Sequence, residues 1–125
     1  MNYTSIIPIN TNLSDINTTA ESTWTAVQNG FNVRKINDLL VQWTISTTTF
    51  PITANTHTTI VTAGNLPDKY RPLTLAQSGD VTVINSSGYN GNTTTIVITT
   101  NGEVAMSGTS AGGVGLRGGG IYSLI

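Results

Sequence analysis

The chain has 125 residues and a formal net charge of -1, with 9% charged residues and no cysteine. That length supports one domain with a modest core. It excludes a disulfide framework and a thiolate metal site, and five scattered cations make a poor footprint for nucleic acid or an anionic membrane. No apolar run approaches the roughly 20 residues of a helical membrane span, and no basic-then-apolar leader opens the chain.

Over a third of the residues are Thr, Asn and Ser, and Gly numbers 13. Thr favours strands, Asn and Gly favour turns, and hydroxyls and amides keep a surface wet without charge. The first 28 residues read as an extended lead-in, with no helical period and Pro8 limiting any strand there to an edge. Asn29-Gly30 marks a turn. The segment F-N-V-R-K-I-N-D-L-L-V-Q-W-T-I-S follows, read as a hairpin: Phe31 and Val33 alternate, Asn37-Asp38 turns the chain, and Leu39, Val41, Trp43 and Ile45 alternate. A further strand is expected around Ile60. Next comes the loop L-P-D-K-Y-R-P, which gathers Asp68, Lys69 and Arg71 between two prolines. Two strands are expected beyond it, over 73–77 and 81–84. In the strand over 93–99, Ile96 and Ile98 share one face, and Thr95, Val97 and Thr99 the other. Asn101-Gly102 is a second hairpin signal, with the return strand over 104–107. The run from Ser107 to Gly120 reads as a glycine-rich loop, and residues 121–125 as a closing strand. Turn signals every ten residues or so, without a 3.6-residue period, predict an all-β sandwich or small barrel.

Little in the chain suggests catalysis. His57 is the lone histidine, and no orienting acid for a triad accompanies it. One histidine without cysteine does not make a zinc site, and the glycine-rich run does not open a helix as a phosphate cradle would. No two of the six acids form a glycosidase pair by sequence. No cofactor is expected. Sugar binding asks for less: amides, hydroxyls, an aromatic ring and one or two charges. Trp24, Trp43, Tyr89 and Arg117 could supply it, Trp43 reading first as core. Tyr89 lies in the glycine-flanked loop S-S-G-Y-N-G-N and is the better contact candidate.

Four pieces occur in order over residues 29–125: N-G-F-N-V-R-K-I-N-D-L-L-V-Q-W, Y-R-P, I-V-I-T-T-N-G-E-V-A-M-S-G and L-R-G-G-G-I-Y. Together they resemble the C-terminal head domains of receptor-binding proteins from the baseplates of lactococcal tailed phages. The resemblance implies a Greek-key β-barrel head over 29–125, assembled as a homotrimer and displayed on the virion at the tail tip. It implies that the head binds saccharide of the host cell wall. Residues 1–28 would be the end of a neck joining it to other baseplate proteins through a more N-terminal region.

The family places a His and an Asp two apart on the strand before N-G, a Trp on the return strand, and an Arg in R-G-x-G. Here those positions hold Thr95, Val97, Ser107 and Arg117. Only the arginine matches. Arg117 is therefore the foremost expected ligand contact, with Thr95, Ser107, Tyr89 and His57 beside it. A purely structural baseplate module is the competing reading. Arg71, in the family's aromatic-Arg-Pro position, is expected to build a corner of the fold, with ligand binding as the alternative.

Overall fold

A computed structural model describes residues 20–86 and 88–125. Eight strands and one short 3-10 turn follow in order. They are β1 (Thr25–Gln28), β2 (Phe31–Lys35), β3 (Leu40–Thr47), β4 (Thr58–Val61), the turn Asp68–Tyr70, β5 (Ala76–Asn85), β6 (Gly88–Ile98), β7 (Val104–Met106) and β8 (Gly115–Ser123). All pairings are antiparallel, in the order β1-β2-β3-β8-β5-β6-β7-β4. Strands β5, β6 and β7 are consecutive neighbours, and β8 returns to lie beside β5, which is a Greek key. The sheet curls until its two ends meet. There side chains replace the ladder: Asn29 donates to the Ile60 carbonyl at 2.8 Å. Gln28 accepts from the Thr62 N–H and from Asn65, both at 2.9 Å. The expected all-β, Greek-key barrel is what the chain forms.

The two Asn-Gly pairs make different turns. Asn29 and Gly30 both have positive φ, 51° and 79°, and join β1 to β2 through a two-residue loop whose twist suits a hairpin. At Asn101-Gly102 only the glycine is left-handed, at φ 83°. The Gly102 N–H donates to the Thr99 carbonyl and Thr99 pairs with Glu103, giving a three-residue loop.

The barrel interior is filled by the alternating residues of each wall. Phe31, Val33, Val41, Trp43, Val81, Val83, Ile96, Ile98 and Leu116 are all fully buried. The Trp43 ring stacks on Phe31 with centroids 5.6 Å apart. Its indole N–H donates to Ser78 Oγ at 2.8 Å, and that hydroxyl donates to the Ile121 carbonyl at 2.7 Å. The buried indole is thus satisfied, as burial in an apolar medium requires.

Four expectations are corrected. Residues 25–28, read as the end of the lead-in, form β1; residues 1–19 of that lead-in lie outside the described residues. The two strands expected over 73–77 and 81–84 are one strand, β5, bulged between Ser78 and Val81. Gly79, at φ 59°, makes the bulge: a Cβ there would sit 2.5 Å from Trp43 Cζ2 and 2.3 Å from the Gly119 carbonyl oxygen. The glycine-rich run is a loop only as far as Val114. From Gly115 it is β8, hydrogen-bonded between β3 and β5. The lack of side chains lets its neighbours close in on it; a Cβ on Gly118 would lie 2.0 Å from the Asp80 carbonyl oxygen. Leu39 was expected on the apolar face of its strand. It precedes β3 in the turn and is exposed.

Candidate functional site

In the loop between β4 and β5, Arg71 turns its side chain back onto the loop itself. Arg71 Nε donates to the Leu66 carbonyl at 2.7 Å and Nη2 to the Gly64 carbonyl at 3.1 Å, while Nη1 lies 3.0 Å from Asp68. The guanidinium thus laces together the loop it belongs to, as the corner reading expected. Tyr70 is fully buried. Its hydroxyl donates to Glu21 Oε1 at 2.7 Å and shares a 3.1 Å hydrogen bond with Thr25 Oγ1. Its carbonyl accepts from the Tyr122 hydroxyl at 2.7 Å. Burial, with Tyr70 adding to it, pushes the Tyr122 phenol above its usual range.

Glu21 is the hub of this corner. Partial burial works against its charge. Three donors outweigh that: Lys69 Nζ at 2.6 Å, the Lys35 N–H at 2.8 Å, and the Tyr70 hydroxyl. Together they hold the carboxyl at about 2, against an ordinary 4.5. Lys69 is raised in turn, first by its hydrogen bond to Glu21. The Glu21 N–H also donates to the Lys35 carbonyl. The chain is therefore pinned at Glu21 and again at Thr25, on either side of Trp24.

The expected contact residues fall on the outer wall in two groups. Arg117 is exposed in β8, between Ser46 of β3 and Thr82 of β5. Thr82 pairs onward with Thr93, their hydroxyls 3.2 Å apart. This makes a row of hydroxyls with a guanidinium among them. Among the described residues no hydrogen bond or ion pair holds Arg117. The next residues along β8 and β5 add Gly119, flanked by Thr44 and by the exposed carboxylate of Asp80.

The second group comes from the far side of the sheet. Met106 pairs with Ile96 and with Thr58. Ser107, Thr95 and His57 each stand one residue from that row, and all three are exposed. The register thus gathers them at one end of β6, β7 and β4. Thr93 and Thr95 share the outer face, so Arg117 stands two strands and two residues from Thr95. The Cα separation is about 12 Å, too far for one small pocket but within one continuous surface. The expected sidedness of β6 holds, with Ile96 and Ile98 buried and Thr95 exposed. Tyr89 lies in β6 opposite Ile84; its side chain is outside the described part of the structure.

Three further groups share the outer wall. Arg34 carries its guanidinium over the Trp24 ring, Cζ 4.4 Å from the centroid. Its Nε donates to Gln42 Oε1 at 3.0 Å, and Gln42 pairs with Ile121. Trp24 was a sequence candidate; Arg34 and Gln42 were not. The alternation in F-N-V-R-K, with Phe31 and Val33 inside, was the signal that places Arg34 outside. Trp43, the other tryptophan, belongs wholly to the core.

No group of three or more His, Cys, Asp or Glu that could hold a metal occurs among the described residues. No protein-family model matches the chain, and no curated protein matches it.

Proposed function

We propose that this chain is a non-enzymatic adhesin domain that binds saccharide on the surface of a Gram-positive cell, as the receptor-binding head of a phage baseplate. One observation carries the reading. Arg117 stands exposed, and unpaired among the described residues, in a row with Ser46, Thr82 and Thr93 on the barrel wall. A guanidinium offers donors in a fixed fork, and hydroxyls both donate and accept, which suits the hydroxyl pairs of a sugar. A wall of paired strands fixes the backbone that carries such groups, so that only their side chains are ordered on binding. The resemblance in the sequence supports the same role, and with it a homotrimer whose weak sites add through multivalency.

A second reading, a structural baseplate module, is favoured by one other observation. Leu39 and Leu73 are joined through backbone hydrogen bonds to Leu124; Leu73 is 74% exposed, and Ile125, next to Leu124 in the chain, is 70% exposed. An apolar end of this kind suits contact with another protein.

The test is binding of the labelled domain to a panel of lactococcal strains, with Arg117→Ala in parallel. Strain-selective binding that the variant loses supports the adhesin. Selective binding that survives it moves the site elsewhere on the barrel. Absence of binding to every strain by a folded, assembled protein favours the structural module.

A further inference from the structure

We infer that the saccharide surface extends from Arg117 along the outer face of β8 and across β3 to a stacking subsite made by Trp24 and Arg34, with Asp80 as an acceptor on the intervening row, on the β5 side. This rests on the saccharide reading above and adds the shape of the ligand: a chain of linked sugar rings rather than a single one.

The placement comes from three adjacent rows of the sheet. One is Arg34–Gln42–Ile121, the next Thr44–Gly119–Asp80, and the third Ser46–Arg117–Thr82. Ile121, Gly119 and Arg117 alternate on one face of β8. The distance from Ile121 to Arg117 is about 13 Å along the strand. Gly119 has no side chain, so the floor of β8 between Ile121 and Arg117 is bare backbone. Asp80 and Thr44 border it on either side.

Trp24 is built as a contact residue is built. The residue is 38% exposed, yet the chain around it is fixed. Glu21 is tied to Lys35, Lys69 and Tyr70 on one side and Thr25 to Tyr70 on the other. Arg34 spends one donor on Gln42, and its two amino groups make no other bond among the described residues. A preorganised ring under a guanidinium whose amino groups are free among the described residues matches one class of ligand. Sugar rings present C–H groups to an aromatic face and hydroxyls to donors at the rim. The Asp80 carboxylate, exposed and unpaired among the described residues, accepts hydroxyls that the arginines cannot. Ile121, 51% exposed beside Gln42, adds apolar area at the same end.

The experiment is a nitrogen-15 NMR titration of the intact chain with oligosaccharides cut from lactococcal wall polysaccharide. The protein has two tryptophans, hence two indole N–H signals. That of Trp43 is buried and bonded to Ser78, and it serves as an internal check that each variant is folded. The expected result is that the Trp24 signal moves on binding while that of Trp43 does not. Trp24→Ala then weakens binding about tenfold, the effect of losing one stacking contact, and short fragments lose this sensitivity. The inference is overturned if the Trp24 signal stays still and Trp24→Ala binds like the natural chain while Arg117→Ala does not. In that outcome the saccharide reading stands. If the folded chain binds no fragment at all, both fall together.

Discussion

Replacing Glu21 by Gln removes one charge from the corner that fixes the chain ahead of β1, and leaves its shape nearly unchanged. In the folded protein the carboxyl is held at about 2, against an ordinary 4.5. That difference is worth about 3 kcal/mol at full strength. The Glu21 side chain is 23% exposed and Lys69 faces solvent, so screening brings the expected loss to about 1–2 kcal/mol at pH 7. Because the folded value lies below the unfolded one, this stabilisation is whole above about pH 4.5. It drains away as the pH falls towards 2. The assay is urea unfolding of both proteins at pH 7, 4 and 2.5, with pairs of curves fitted to a common slope. Glu21→Gln should be less stable at pH 7, and the gap should shrink through the acid range. In the variant, the Trp24 fluorescence should also become more readily quenched by iodide. A gap of the same size at all three pH values would refute the argument, because it would show that the charge on Glu21 plays no part. So would the lack of any gap at pH 7.

Other consequences are separable from that one. Ser78→Ala strips the buried Trp43 indole of its acceptor and should cost about 1–3 kcal/mol in chemical denaturation. Gly79→Ala drives a methyl against the Trp43 ring and the Gly119 carbonyl, so the soluble yield and the melting temperature should both drop sharply. Arg71→Ala should lower stability by about 2 kcal/mol through loss of the three contacts that lace its loop, while cell binding per folded molecule stays intact. In contrast, Arg117→Ala should leave unfolding within about 0.5 kcal/mol of the natural chain, since its exposed side chain makes no hydrogen bond or ion pair among the described residues.

The candidate surface was only partly legible beforehand. The alternation around Ile96 put Thr95 outside, and that was enough to orient it correctly. The R-G-x-G motif picks out Arg117, but the glycines around it read as a loop, whereas it projects from a central strand. Nothing local could show that Asp80, Arg117 and Arg34 stand on neighbouring rows. They are dozens of residues apart, and their proximity depends on β8 entering between β3 and β5. Arg71 shows the converse: its place in a short polar loop favours a structural corner but leaves recognition open, and its three contacts with that loop support the corner.

What the sequence by itself determined is what short-range periodicity and turn chemistry determine. Alternating Val, Ile and Thr require strands with one apolar face, and Asn29-Gly30 and Asn101-Gly102 require reversals, so an all-β barrel or sandwich follows. The tertiary structure decided where the glycines go. Isolated in sequence, G-G-G reads as a flexible turn, because glycine alone has the least preference for a strand. Within the barrel a Cβ on Gly118 would lie 2.0 Å from the Asp80 carbonyl oxygen and one on Gly120 2.7 Å from Gly79 Cα, while one on Gly119 would press the Trp43 carbonyl oxygen at 3.1 Å. That steric demand comes from residues about 40 and 75 positions away, and it exists only once the sheet has closed around them.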